Sequence, residues 1–411
     1  MLNRRQLIQL FGLTTGAVLL PTACRAVSNT GLPGNAQRAV PPAEDPFAAY
    51  MRQAEAALAE PFKGITTDGN LVPNLYSIKS KKISTEPVRR AADALIATLS
   101  NQQRAKALFA IESDEWRRWS NVSRYPRNGI SLREMTPQQS QLAFNLLKVS
   151  LSMKGFETTR DIMILNQVLA QLVNKSDVYG KELYWFTFMG QPSAKEPWGW
   201  QLEGHHLAIN YFVLGDQVVM TPTFLGSEPV MATQGEYAGT RVFEMEESKG
   251  LATIRALTDE QREKAILAPK IPEDIFTSAF RDNFELRYDG IPFPKLRTGQ
   301  QELLLDLIGE YVGNLRQGHA KAKMEEVRQH LSNTYFAWMG GLGDRDVFYY
   351  RIHSPVVLIE FDHQDGQALK SDGPSRNHIH TVIRTPNGND YGKDLLRQHY
   401  KQSSHSHLHF H

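Results

Sequence analysis

The side chains of this sequence that could do chemistry are histidines and acids carried on strand-like runs. In NHIHTVIR, His378 and His380 are separated by one residue, and on an extended chain both imidazoles leave the same face. By the same alternation VVLIEFDH places Glu360 and Asp362 on one face with Leu358. EGHHLAINYF places Glu203 and His205 with Leu207 and Ile209, opposite His206, Ala208 and Asn210. His378, His380, one or both of His205 and His206, and Asp362 as ligand or orienting partner make a set of N and O donors. That set suits a divalent transition metal, Zn, Cu, Fe or Mn, with a coordination position left open. Glu203 or Glu360 would act as general base on a water held by the metal. The plainer alternative is a row of hydrogen-bonded sheet histidines with acids nearby for electrostatic balance. The gathering of so many titratable groups in one region favours a site.

Arginine and tryptophan are the candidates for holding a substrate. DEWRRWSNVSRYPRNG, residues 114–129, gathers Arg117, Arg118, Arg124 and Arg127 around Trp116 and Trp119. A guanidinium offers paired donors to a carboxylate or phosphate, so Arg118, together with Arg384 beyond the histidine pair, is expected to hold a substrate anion. The same stretch also reads as a solvated loop with two buried tryptophans. Trp198 in EPWGWQLEG would stack on a sugar ring or close the core. WMGGLGD, residues 338–344, lacks the lysine of a phosphate loop and the strand-to-helix setting of a dinucleotide site. With neither H-E-x-x-H nor G-x-S-x-G in the chain, the helical zinc-protease and serine-hydrolase readings also fall away.

Charge and composition narrow the classes further. The 46 Lys and Arg against 44 Asp and Glu give a net charge of +2, which leaves no surplus of cations to neutralise a phosphate backbone, so no nucleic-acid partner is expected. A chain of 411 residues at 41% hydrophobic can bury a sizeable core. Past the leader no run of about 18 apolar residues occurs, and the mature region is expected to be soluble.

Residues 1–24, MLNRRQLIQLFGLTTGAVLLPTAC, read as an export leader, a basic start followed by a moderately apolar stretch. Arg4 and Arg5 with Leu7 and Ile8 resemble a twin-arginine signal, which would engage the twin-arginine export machinery and carry the protein out already folded. An ordinary secretory signal is the alternative. LPTAC looks like a lipoprotein processing site ending at Cys24, with Pro21 where such sites carry leucine. The expected location is extracytoplasmic, periplasmic or anchored through a lipid on Cys24, which would be the one membrane attachment. Cys24 is the only cysteine, so the rest of the chain offers no disulfide and no thiolate ligand.

Residues 25–45 are rich in Pro, Gly, Ser and Asn and read as a flexible linker. Residues 402–411 carry His405, His407, His409 and His411, a His-rich tail expected to be disordered and able to capture metal loosely. Between them, residues 46–401 read as one domain with short connections and no evident internal repeat. Ser100 with Gln103, Thr136 with Gln139, Thr258 with Gln261, and Thr298 with Gln301 each fit a capping box at a helix start. Strands are expected at 183–190, 205–215, 217–222, 347–352, 356–362 and 378–384, with tight connections at Gly215-Asp216 and Ser354-Pro355. Helices and strands do not alternate strictly. The expected class is α+β, a helical N-terminal half packed on a mostly antiparallel sheet whose apolar side meets the helices and whose polar side lines a cleft.

At EPWGWQLEGHHLAINY, FAWMGG, YYRIHSPVVLIEFDH and NHIHTVIRTPNGNDYGKDLLRQHY the sequence resembles a family of exported bacterial proteins known as the DUF3500 family. The resemblance spans roughly residues 50–401 and implies one domain over that length and an extracytoplasmic location. The family is named for having no assigned function, so the resemblance supplies no catalytic residues. The functional expectation rests on the faces of the strands: a metal-dependent hydrolase or oxidoreductase acting on a small polar or anionic substrate. The alternative is a binding protein for metal or a small ligand, without catalysis.

Overall fold

The computed structural model describes residues 45–402. The export leader, Cys24, the linker and the His-rich tail lie outside the described residues, apart from Asp45 and Gln402 at their borders. Helices α1 (Pro46–Ala59), α2 (Glu86–Ala97) and α3 (Asn101–Ala107) come first, followed by the short strands β1 (Leu108–Phe109) and β2 (Ile130–Ser131). Two longer helices, α4 (Pro137–Ser150) and α5 (Met153–Val173), lead into β3 (Tyr184–Met189), β4 (Trp198–Gly204), β5 (Leu207–Leu214), β6 (Gln217–Val219) and β7 (Thr223–Ser227). The second half repeats the rhythm. Helices α6 (Glu244–Arg255) and α7 (Asp259–Ala265) precede β8 (Ile266–Ala268) and β9 (Ile291–Pro292), and then come α8 (Thr298–Val312) and α9 (Gln317–Gln329). The chain closes with β10 (Tyr335–Gly340), β11 (Phe348–His353), β12 (Leu358–Asp365), β13 (Pro374–Arg384) and α10 (Lys393–Gln402).

The class is α+β, as expected, but the helices are spread over both halves rather than gathered in the first. Three capping boxes form as written, at Ser100, Thr136 and Thr258. The fourth is shifted by one residue: Thr298 is the first helical residue, and the Arg297 N–H donates to Gln300 Oε1 at 2.8 Å. No described helix is long and apolar enough to cross a membrane.

The strands form one mixed sheet in the order β1-β3-β4-β5-β7-β13-β12-β11-β10-β8, which reads the same from either end. β1 runs parallel to β3 as β8 does to β10, and β2 and β9 add antiparallel to the same two strands. Within the halves, α2 pairs with α4 as α6 pairs with α8. The connectivity is that of an internal duplication arranged about the antiparallel β7·β13 pair. Local sequence agrees once the elements are aligned. LSNQQRAKALFA at 99–110 and LTDEQREKAILA at 257–268 are identical at six of twelve positions. Gln103 and Gln139 join their side-chain amides, and so do Gln261 and Gln300. Gly129 and Gly290 both have φ near +90°, and a Cβ on either would strike the carbonyl oxygen of Phe186 or Phe336. The repeat is not evident in the sequence alone because the match is confined to a few turns of helix and to single glycines.

The sheet has two covered faces. Ile379 and Ile383, with Val357, Ile359 and Phe361, meet a core fed by Leu95, Leu146, Leu165, Leu251 and Leu307 of the helices. That is the side predicted to be apolar. The opposite side is not an open cleft. Val382, Phe224 and Tyr349 pack there against Trp116, Trp119, Ile275, Tyr391 and Leu395, which belong to the irregular segments and α10. Residues from Phe47 to the last one described form one compact unit.

A buried ion network fixes this cover to the sheet. Asp282 accepts from Arg384 Nη1 at 3.0 Å, Arg117 Nε at 3.0 Å and the Tyr391 hydroxyl at 2.9 Å. Arg384 also reaches Asp390 and the carbonyls of Thr277 and Ser278. Removing Asp282 would take from buried Arg117 its buried carboxylate and leave Arg384 with Asp390 alone, and breaking such a buried pair costs about 3–5 kcal/mol. Asp282→Ala should therefore lower the unfolding free energy by about that amount in urea denaturation, while an exposed control such as Asp259→Ala changes it by less than about 1 kcal/mol.

Candidate metal centre

Three strands bring the histidines together. β5, β7 and β13 are neighbours, and their registers place Leu207 beside Leu225 and His380 beside Gly226. His205 and His206 are not strand residues. They form the two-residue turn that closes the β4·β5 hairpin between Gly204 and Leu207. His206 occupies the left-handed region at φ 61°, which costs a non-glycine residue roughly 1–2 kcal/mol. Its backbone is held by two bonds, its N–H to Asn121 O at 3.2 Å and its carbonyl from Gly226 N at 2.8 Å. The alternation predicted through 203–210 is broken by this turn: Leu207 and Ile209 face the helices, whereas Glu203 pairs with Ala208 on the other side.

His206, His378 and His380 meet through their Nε2 atoms. His206 Nε2 is 3.0 Å from His378 Nε2, which is 3.1 Å from His380 Nε2. Tetrahedral ligation at about 2.0–2.1 Å sets nitrogens roughly 3.3 Å apart, so these spacings need only small adjustment to take an ion. Gly226 lies against the His380 ring and leaves room for it: a Cβ there would stand 2.8 Å from Ile379 O and 3.0 Å from His380 Cδ2.

The far nitrogens decide the tautomers. His378 Nδ1 lies 2.7 Å from the Asp365 carbonyl, which can only accept, so Nδ1 carries the proton. His380 Nδ1 lies 3.0 Å from Asp274 Oδ1 and donates to that carboxylate. With both rings neutral, each Nε2 presents a bare lone pair to the other. Two lone pairs at 3.1 Å repel, and a cation between them turns the repulsion into ligation. Burial, reinforced by the neighbouring His380, lowers the pKa of His378 to about 3. Burial and then His205, His378 and His380 hold His206 well below the usual imidazole range. Neutral rings are the state in which histidine binds metal. The donor set thus fits a divalent transition metal.

The other expected residues take different places. His205 stacks on His206 with ring centres 3.9 Å apart, and its Nδ1 turns to Asn166 Oδ1 at 2.8 Å, away from the three-nitrogen cluster. Asp362 pairs with His380 across the strands but is not one of that trio; it groups with Asp274 and His380 instead. Burial first and Asp274 second push its carboxyl well above the usual range. Glu203 accepts from Ser120 N at 3.1 Å and faces Arg127 Nε at 3.4 Å, and burial raises it to about 7 against the opposing pull of Arg127. It anchors the loop whose Asn121 carbonyl receives the His206 N–H. Glu360 is saturated by Phe276 N, Thr277 N, the Thr277 hydroxyl and the Tyr349 hydroxyl, which leaves no proton-accepting role for it.

Arg384 is buried within the ion network, with no donor turned to a substrate. Trp198 is buried against the helices, its indole N–H on Ser193 O, so it closes the core rather than stacking on a sugar. Arg118 remains open, with 45% of its side chain exposed and Glu115 4.0 Å away. Asp274, Gly226 and the Asp365 carbonyl were not foreseen. Asp274 sits in the irregular stretch PEDIFTS, where no periodicity marks it, and only tertiary packing brings it to His380.

No curated protein and no solved structure matches this sequence. A family described as "Protein of unknown function (DUF3500)" matches residues 81–393, the span that contains the whole of the three-histidine cluster and both halves of the duplicated sheet. The chain belongs to the DUF3500 family.

Proposed function

We propose that the chain is a metal-dependent enzyme acting on a small polar or anionic substrate, with one divalent transition metal held by His206, His378 and His380. The observation that carries this reading is the convergence of three Nε2 atoms, two of them with their lone pairs fixed by the partners of Nδ1. A metal on three neutral imidazoles keeps its full charge and supplies Lewis acidity and an acidified water. The protein's part is orientation: Asp274 and the Asp365 carbonyl fix two rings, and Glu203, through the loop at Ser120 and Asn121, fixes the third. Arg118 is the exposed cation we assign to a substrate anion. The depth of the three histidines, all of them buried, favours a second reading in which the metal is held without turnover. Export through the twin-arginine machinery and an extracytoplasmic location, periplasmic or lipid-anchored at Cys24, belong to the same proposal and rest on residues 1–24.

Elemental analysis of the chain with His405, His407, His409 and His411 replaced by alanine should find tightly held transition metal, and His378→Ala/His380→Ala should abolish it. Absence of metal in both, with no uptake on titration, would sink the proposal. Hydrolase and oxidase screens of loaded and chelated protein then separate the two readings, since a holding site gives no metal-dependent turnover. Gly226→Ala should weaken metal affinity at least tenfold and cost about 1–3 kcal/mol of stability, because the new methyl displaces His380. Fractionation of cells should place the protein outside the cytoplasm, and Arg4→Lys/Arg5→Lys should hold it inside.

A further inference from the structure

We infer that Asp274, Asp362 and the Nδ1 side of His380 form a second cation position, one imidazole's width from the first, with the His380 ring bridging the two. This inference rests on the three-histidine reading, because it shares His380. The ligand atoms of Asp274, Asp362 and His380 lie within 4.8 Å of one another. Asp362 is wholly buried, and its Oδ1 has no hydrogen-bond partner in the structure. Its other oxygen takes Gln364 Nε2 at 2.6 Å, so the carboxyl is oriented, with the partnerless oxygen left over. Asp274 lies within 3.4 Å of the same Gln364 amide through Oδ1, the atom that also faces His380 Nδ1.

Two carboxyl groups and a ring nitrogen lie close together, Asp362 and His380 buried and Asp274 partly exposed at the rim, and once ionised the pair of carboxylates draws positive charge. No arginine or lysine forms an ion pair with Asp274 or Asp362 among the described residues; the basic side chain at hydrogen-bond distance from Asp274 is His380 itself. A divalent cation meets that need and satisfies Asp362 Oδ1. Its arrival releases the Nδ1 proton of His380 to solvent and leaves an imidazolate that ligates one ion through each nitrogen. The two positions differ in kind. The first has three imidazoles and the second has two carboxylates with one imidazole, a harder set that suits Zn or Mn. A proton shared by Asp274 and Asp362 is the competing way to settle the charge.

The test uses the full chain with the four tail histidines replaced by alanine, titrated with Zn(II) and with Cu(II). Metal content after gel filtration and the Cu(II) paramagnetic resonance intensity are the readouts. Two ions per chain in the parent and one in Asp362→Asn, with the two-copper form showing less resonance intensity than two independent coppers, support the bridge. One ion in both proteins overturns the second position while leaving the three-histidine centre standing. No ion in either overturns both. Two ions in both proteins place the second ion elsewhere and also overturn the inference. Should Asp362→Asn fail to fold by circular dichroism, Asp274→Asn is read against the same outcomes.

Discussion

The antiparallel pairing of β7 with β13 is the constraint on which the rest of the molecule depends. It joins the two halves of a duplicated sheet, so neither half completes its order without it. It also sets Gly226 against His380, and by the same register brings the β4·β5 turn within reach of His378. A slip of one residue along this pair would send His378 and His380 to the helix side, because side chains alternate from one face to the other. Fold and candidate site are therefore specified by one register.

Much of that arrangement was legible from residue types. The faces of β12 and β13 follow simple alternation from Leu358 to His363 and from Ile379 to Arg384, where the pairing is regular and branched residues line the side that meets the helices. The position of His206 was not legible. GHHL carries no Asn, Asp or Gly at the residue that turns left-handed, so it reads as continuing strand, and only the bonds to Asn121 and Gly226 hold it otherwise. β4 was missed for a related reason: WGWQLEG has two glycines, which argue against a strand. Gly199 is there because a Cβ would stand 2.3 Å from the Tyr211 carbonyl oxygen, and Gly204 because one would strike the Tyr184 ring.

The charged residues show where sequence reasoning runs out. Arg384, Glu360 and Asp362 stand on one face of two paired strands, and from sequence alone all three could belong to a site. Their surroundings divide them. Arg384 meets two aspartates and Glu360 meets four donors, so both have their charge or lone pairs answered by protein. Asp362 differs in having an oxygen left over. Apart from the Tyr349 hydroxyl on β11, the answering groups, at 276–282 and 390, come from segments with no periodic signal, and their placement is a product of the whole fold.

His206 belongs to the first half of the chain and His378 to the second, 172 residues later. An ion held by both would close a loop of that length with bonds that survive thermal motion. In the chain-entropy view a covalent link closing so long a loop removes about 5 kcal/mol of freedom from the unfolded chain. A metal at this seam would then do for the two halves what a disulfide does in proteins with cysteines to spare, and the described part of this chain has none. Whatever else such an ion did, it would decide how readily the duplicated sheet comes apart along its middle.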